Sequence, residues 1–391
     1  MKVVFFSNFL NRHQLPFCLA MDRLTEHRFT FVATTPLSEE RAQMGFRDLN
    51  NQYPFVLTAY DNEEHTQLAK DLACNADVVI FGAAPEVYLT IRLKQNKLTF
   101  MATERLYKSG LTLKKLPRVC ISAWLHHGRF MRKPLYMLCS SAYTAVDCAR
   151  FGNYLGRTYK WGYFPEVKIH NVDELFERKH SKSKMSILWA GRMIDWKHPD
   201  DAIVMAQRLK QNGYAFQLNL IGNGVMEMQL QNMIHEKHLE ECVHMLGVMS
   251  PEAVREHMEN ADIFLFTSDF NEGWGAVLNE SMNSACAVVA SHAIGAVPFL
   301  LEDGKNGYIY RNGDIDGMYN RVVRLLESSD LREQMGRKAY CTLTEKWNAD
   351  VAAKRFLALA QARLNGESNN LFENGPCSKA GVLRNNWYKN G

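Results

Sequence analysis

Two carboxylates, Glu272 and Glu280, flank the turn Gly273-Trp274-Gly275, just after the apolar stretch Ile263-Phe264-Leu265-Phe266. A strand, a glycine-containing turn and a new helix together make a place to hold an anion. Helix N-termini carry unpaired N–H groups and about half a positive charge. The two carboxylates do not suit phosphate. They suit sugar and ribose hydroxyls, which donate hydrogen bonds to carboxylates. The pair therefore reads as the carbohydrate ends of a nucleotide-sugar site. A helix starting near Gly275 puts Glu280 in its second turn, roughly 7–8 Å along the axis at about 1.5 Å per residue. From there Glu280 can meet a ribose while Glu272, in the turn, meets the sugar. Gly273 and Gly275 leave room between them, and Trp274 and Leu278 complete the segment expected to bind the donor. The competing reading is two exposed glutamates at a helix start, where acids are favoured anyway. It accounts for Glu272 but not for the neighbouring apolar Ala276, Val277, Leu278 and Met282.

Cations are expected on the diphosphate. Gly191-Arg192-Met193-Ile194-Asp195-Trp196-Lys197-His198-Pro199 follows a strand-like stretch and precedes a helix-length one. Arg192 can direct two N–H donors at one phosphate, and Lys197 adds a point charge. An ordinary solvated loop is the alternative. Position favours function, because open α/β sheets bind ligands beyond the carboxyl ends of their strands. Ile221-Gly222-Asn223-Gly224 ends another strand, where glycine lets backbone approach a ligand closely; a plain tight turn is the alternative. Gly247-Val248 follows a third strand and is read as a border of the base-binding cleft.

Short apolar runs alternate with helix-length segments along the whole chain. In the first half, strands are expected at 3–6, 29–33, 78–81, 98–102 and 137–140. In the second half they are expected at 186–190, 217–221, 243–246, 263–266, 287–290 and 308–310. Strands apolar on both faces fit a parallel sheet covered by helices, and βα alternation gives a doubly wound architecture. The expected domains are 1–164, a charged linker at 165–184, and 185–345. A helix at 346–365 and a flexible tail at 366–391 rich in Asn, Gly and Ser follow.

The bulk numbers narrow the classes. The 391 residues suit two domains of moderate size, and 47% hydrophobic content supplies their cores. A formal net charge of +4 lacks the basic stripe of a nucleic-acid binder. Nine scattered cysteines without C-x-x-C spacing read as reduced thiols in a cytoplasmic protein. The N-terminal Met1-Lys2-Val3-Val4-Phe5-Phe6 reads as a first strand with no cleavage signal. No run approaches the roughly 18 apolar residues of a membrane-spanning helix. Asp314-Ile315-Asp316 mimics a D-x-D metal signature, but Asp before a helix is first of all a cap. His126-His127 lacks a partner ligand, so no metal and no resident cofactor is expected.

These motifs resemble the retaining glycosyltransferases of family 4. The resemblance rests on Gly191-Arg192 with Lys197, on Ile221-Gly222-Asn223-Gly224, on the E-x7-E pair Glu272 and Glu280, and on Glu302-Asp303-Gly304-Lys305-Asn306-Gly307. The first half is similar to a capsule or exopolysaccharide branch of that family through Ser7-Asn8-Phe9-Leu10-Asn11-Arg12-His13-Gln14, Thr103-Glu104-Arg105-Leu106-Tyr107-Lys108 and Lys160-Trp161-Gly162-Tyr163-Phe164-Pro165. It implies a GT-B fold: two Rossmann-like, doubly wound domains facing a central cleft, the first on the acceptor side and the second binding the donor. It also implies Arg192 and Lys197 on the diphosphate, Glu280 on the ribose, Glu272 near the transferred sugar and retention of anomeric configuration. A first-domain histidine aimed at the sugar is implied too. His13 is the candidate, against the bland reading of a structural or solvated loop histidine. Two departures stand out. Asn8-Phe9-Leu10-Asn11 occupies the place where relatives carry glycines. Phe299 falls where relatives carry a glutamate, and it cannot accept a hydrogen bond.

Residues 105–146 hold Arg105, Lys108, Lys114, Lys115, Arg118, Arg129, Arg132 and Lys133 and no acid, interleaved with Leu111, Leu113, Leu116, Trp124, Leu125, Phe130 and Met131. That mixture suits an anionic membrane surface at the inner face, where a lipid-linked acceptor would be met; a solvated basic face is the alternative. The overall expectation is a glycosyltransferase taking a nucleoside-diphosphate sugar and a glycan or lipid-linked glycan acceptor. The alternatives are an epimerase or phosphorylase of the same fold, or a non-catalytic nucleotide-sugar-binding protein.

Overall fold

The computed structural model describes residues 1–38, 47–108, 110, 114 and 116–388. Leu111, Leu113 and Lys115 of the basic segment lie outside the described residues. The chain divides into two compact units. One is Met1–Glu166 with Trp347–Arg384; the other is Val167–Lys346 with the residues from Asn385 onward.

The first unit begins β1 (Val3–Ser7), α1 (Leu15–Leu24), β2 (Phe29–Ala33), β3 (Val56–Thr58), α2 (Glu63–Asn75) and β4 (Val78–Phe81). It continues α3 (Glu86–Lys94), β5 (Thr99–Thr103), α4 (Leu116–His126), β6 (Leu135–Cys139), α5 (Thr144–Ala149) and β7 (Thr158–Lys160). Its seven strands run parallel in the order β3-β2-β1-β4-β5-β6-β7. Every residue of β1 and β4 is buried, as a sheet covered on both faces requires.

The second unit runs α6 (Val172–His180), β8 (Met185–Ala190), α7 (Pro199–Gln211), β9 (Phe216–Ile221), α8 (Glu227–Glu236), β10 (Val243–Gly247) and α9 (Pro251–Asn260). It continues β11 (Ile263–Phe266), α10 (Ala276–Asn283), β12 (Ala287–Ser291), α11 (Val297–Leu300), β13 (Tyr308–Tyr310), α12 (Ile315–Glu327) and α13 (Ser329–Cys341). Its six parallel strands are ordered β10-β9-β8-β11-β12-β13. Trp189, Leu220, Leu265 and Val289 from four strands join Met205 of α7 and Val322 of α12 in one core cluster. Each such side chain contributes about 1.5–3 kcal/mol when fully buried. The final helix, α14 (Ala349–Leu364), belongs to the first unit, where Phe356 sets its ring 6.4 Å from Phe17 of α1 and 5.2 Å from Phe100 of β5.

Three expectations are corrected. Strands β3 and β7, three residues each at the two edges of the sheet, are not among the expected strands. The charged stretch 165–184 is not an open linker: it contains α6, capped by Asn171, whose Leu175 and Phe176 are buried against Ala285 and Tyr340. The segment 366–391 is not free over its described part. Lys160 N–H donates to Ser378 O at 2.7 Å, Lys379 bridges Tyr159, and Cys377 is buried. Among the described residues no helix is long and apolar enough to cross a membrane.

Candidate functional site

In the second unit the strand order reverses between β8 and β11, the switch point at which open α/β sheets bind ligands. Lys197 lies beyond the end of β8 and Glu272 beyond the end of β11. Their side chains meet across the switch point, with Lys197 Nζ donating to Glu272 Oε2 at 2.6 Å. Each side chain is only 12% exposed, so the pair is screened from bulk water while its edge stays reachable. Ser268 Oγ donates to the same carboxylate oxygen at 3.1 Å. The two loops are also tied through their main chains: Thr267 Oγ1 donates to Lys197 O at 2.6 Å, and Asp269 N–H donates to Trp196 O at 2.9 Å. Trp189 Nε1 donates to Thr267 Oγ1 at 2.9 Å, which anchors the arrangement in the core. Arg192 and Lys197 both lie against the Trp196 ring, at 5.9 and 4.9 Å from its centroid. Cation–π contact of this kind adds about 0.5–1 kcal/mol and orients the cations.

Main chain builds the rest of the wall. Gly191 N–H donates to Ile221 O at 3.0 Å, Met193 N–H to Asn223 O at 2.7 Å, and Gly222 N–H to Gly247 O at 2.8 Å. Gly222 has φ +125°, and a Cβ there would sit 2.0 Å from Gly191 O, so no side chain fits. Gly275 caps α10 with φ +89°, and a Cβ there would meet the Phe266 ring at 2.6 Å. The helix therefore starts hard against the end of β11. Glu280 stands on its second turn, 8% exposed. Gly295 N–H donates to Glu272 O at 3.3 Å, which brings the loop after β12 against the carboxylate turn.

The structure thus gathers Gly191, Lys197, Gly222, Asn223, Gly247 and Glu272 at one end of one sheet. Two members of the expected set act differently. The Trp274 side chain is wholly buried with Nε1 donating to Asn279 Oδ1 at 2.9 Å, and Leu278 is also wholly buried. Their side chains pack the core beneath the turn, so only backbone is available for a ligand there. Phe299, in α11, packs toward Trp274 with ring centroids 6.3 Å apart. Asp314 caps α12 by accepting from Gly317 N–H at 2.8 Å, and Asp316 pairs with Arg208 at 2.5 Å, which accounts for the D-x-D mimic. The sequence reading did not single out Trp196, Thr267 or Ser268. It also passed over His198, Asp200 and Asp201, whose ligand atoms lie within 4.8 Å of one another. Burial, and then Asp200, pushes the Asp201 carboxyl up to about 6.

His13 lies in the first unit. It lines a cavity of about 490 Å³ at the carboxyl ends of β1, β4, β5 and β6, together with Asn8, Gln14, Glu104, Lys108 and Tyr163. His13 Nδ1 is buried without a hydrogen-bond partner among the described residues, and its ring stacks 6.1 Å from Tyr163. Burial, and then Arg12, lowers its pKa to about 3, so the imidazole is neutral. Glu104 is held on both sides: Tyr163 Oη donates to Oε1 and Lys108 Nζ to Oε2, each at 2.6 Å.

The basic segment is partly internal. Arg105 is 5% exposed and pairs with Asp147 at 3.3 Å, so it is no surface cation. Its partner lies one residue past the acid-free stretch, which is why the pairing was missed. Arg129 pairs with Glu86, and Lys133 donates to Asn96 Oδ1 at 2.7 Å. Helix α4 nonetheless exposes Ile121, Trp124 and Leu125 beside exposed Arg118.

With this geometry in place, comparison with known proteins adds a family. Residues 172–342 match the family described as glycosyl transferases group 1. The chain is 28% identical over 193 residues to a poly(ribitol-phosphate) alpha-N-acetylglucosaminyltransferase of Staphylococcus aureus, covering 49% of this chain and 38% of that protein. It is 32% identical over 146 residues to the amylovoran biosynthesis glycosyltransferase AmsK of Erwinia amylovora, covering 36% of each. The matched stretches therefore span less than half the length of these relatives. Among solved structures, Anabaena HepE in complex with UDP superposes with a TM-score of 0.69 at 15% identity, over 93% of this chain and 100% of that one. Staphylococcus aureus TarM superposes with a TM-score of 0.56 at 19% identity, over 72% and 54%. Residues 172–342 thus resemble the glycosyl transferases group 1 family, and the chain has a GT-B fold of two parallel-sheet, Rossmann-like units.

Proposed function

We propose that the protein transfers a glycosyl group from a nucleoside-diphosphate sugar to an acceptor hydroxyl, with retention, in surface polysaccharide or glycan biosynthesis. The observation that carries this reading is the Lys197–Glu272 pair at the switch point of the second sheet. In this reading Arg192, Lys197 and the start of α10 at Gly275 face the diphosphate, Glu280 takes the ribose and Glu272 the transferred sugar. Gly191, Gly222, Asn223, Gly247 and Gly273 give main chain to the donor. Negative charge builds on the leaving diphosphate as the glycosidic bond breaks, and preorganised donors aimed at that charge supply most of the acceleration. Lys197 is already fixed by Glu272, so little reorganisation is needed. The departing phosphate oxygen takes the acceptor proton, and no strong protein base is required.

The solved relatives TarM and HepE were seen with UDP, which supports a uridine donor here. The cavity of the first unit takes the acceptor, with His13 as a neutral hydrogen-bonding group in its wall. A relative in Campylobacter jejuni, 31% identical over 173 residues, acts on an undecaprenol-diphosphate-linked sugar, which supports a lipid-linked acceptor. Ile121, Trp124 and Arg118 on α4 support contact with an anionic membrane surface.

A thermal-shift panel of UDP-, GDP- and other nucleotide sugars tests the donor. A ligand at a hundred times its Kd adds about 2.7 kcal/mol of stability, and Glu280→Ala should abolish the shift. Released UDP that requires an acceptor supports transfer. Conversion of the sugar without any acceptor would replace transfer by epimerisation.

A further inference from the structure

The last described residues return to the second unit and bind beside the candidate site. Tyr388 Oη accepts from Arg321 Nη2 at 2.6 Å and lies 2.6 Å from Ile309 O and 2.7 Å from Asp303 Oδ2, with one proton to share between those acceptors. The Trp387 ring packs on Tyr388 at 5.5 Å and lies 6.3 Å from the ring of His292. Asn385 O accepts from His292 Nε2 at 3.0 Å, which fixes the tautomer: Nε2 carries the proton, and Nδ1 accepts from Asn312 N–H at 3.0 Å. His292 is 4% exposed. Its other side meets Phe270, edge to face, with centroids 5.4 Å apart.

Phe270 stands two residues before Glu272. Gly295, whose N–H donates to Glu272 O, stands three residues after His292. One imidazole therefore touches the chain end on one side and Phe270, ahead of the Glu272 turn, on the other, while the loop that carries it reaches Glu272 O through Gly295 N–H. We propose that Asn385–Tyr388 is a strap that holds the Glu272 turn in register through His292, making His292 a positioning residue for the sugar-binding carboxylate. The proposal rests on the glycosyl-transfer reading only for its effect on rate; the mechanical link stands without it. The described contacts of the strap run to His292, Arg321, Asp303 and Ile309.

The test compares the full chain with two variants, one ending at Arg384 and one carrying Tyr388→Phe, which keeps the ring and removes the hydroxyl. Hydrogen exchange read by mass spectrometry should show about tenfold faster exchange in peptides covering 268–276 and 291–296 when the strap is deleted, and a smaller change in the same direction for Tyr388→Phe. Peptides from β8 and α7 should be unchanged. Turnover should fall about tenfold with the KM for the donor within about twofold, because the lost effect is on the developing transition state. Unchanged exchange at 268–276 overturns the strap. So does a loss of protection that spreads through β8, since the segment would then merely support the fold. If the intact protein transfers no sugar while the local exchange change appears, the glycosyl-transfer reading fails and the strap stands.

Discussion

The carboxyl ends of the two sheets are built from different material. Beyond β8, β9 and β10 the walls of the second sheet are main chain: three inter-loop amide bonds at 2.7–3.0 Å and a Gly222 that admits no Cβ. Beyond β1, β4, β5 and β6 the walls of the first sheet are side chains: Glu104 clasped by Tyr163 and Lys108, a neutral His13, and amides from Asn8 and Gln14 around about 490 Å³ of space. A wall of amides and glycines suits a ligand group that never varies, such as a diphosphate. A wall of side chains suits a ligand that differs between proteins, because specificity comes from a few exchangeable contacts. The contrast explains how one fold keeps its donor chemistry while acceptors change.

The contrast breaks most sharply at Gly222. An alanine there pushes a methyl group into Gly191 O, which is main chain and cannot rotate away. Gly222→Ala should cost on the order of 4 kcal/mol in denaturant unfolding and abolish nucleotide binding. Gly156→Ala in the first unit, with φ +70° and open space around it, should cost only about 1 kcal/mol. Equal costs would mean that the second unit's loops yield more than their packing implies.

The next largest effect belongs to the ion pair. Lys197→Ala removes the cation proposed to face the leaving phosphate and leaves Glu272 beside nothing but Ser268 among the bonds described to its carboxylate. Turnover should drop about a hundredfold, a size typical of losing one donor to developing charge. Glu104→Gln should act on the other side of the comparison. It keeps the shape, weakens the Lys108 contact, and should raise the acceptor KM about tenfold while donor affinity stays constant. A donor affinity that moves with Glu104 would dissolve the division between the two walls.

The same contrast governs what could be read from residues alone. Sheet strands apolar on both faces, such as Ile263–Phe266, announce themselves, and the glycines and charges at their ends follow in fixed order. The placement of Gly222, Lys197 and Glu272 at strand ends was legible because a glycine or a charge there stands out against the apolar strand before it. The burial of the Trp274 and Leu278 side chains was not legible, because a turn residue beside a site and a core residue beneath it look alike in a linear sequence. Arg105 was read as surface because its partner Asp147 lies about forty positions away, and pairing at that distance leaves no local pattern. The strap escaped for the reason that 366–391 is polar: three aromatic contacts to His292, from Phe270, Trp387 and Tyr388, hold a segment whose composition suggests freedom.

The finest distinction concerns His292 itself. Burial, with Arg311 nearby, lowers its pKa against the opposing bond to Asn385 O. Protonation would add a proton at Nδ1, where Asn312 N–H already donates. The charged groups described close to the strap are Arg311, and Arg321 with Asp303 around Tyr388. Because the folded protein holds this histidine neutral, the unfolded chain binds more protons once pH falls below about 6.5. The stability contributed by His292 is therefore present above that pH and is lost as pH falls from there toward the lowered folded value. His292→Gln, which offers one donor and one acceptor at every pH, should lose less between pH 7.5 and 5.5 than the native chain. The melting temperatures of the two should accordingly converge on acidification. If they stay parallel across that range, His292 does not titrate against the strap, and its role is packing alone.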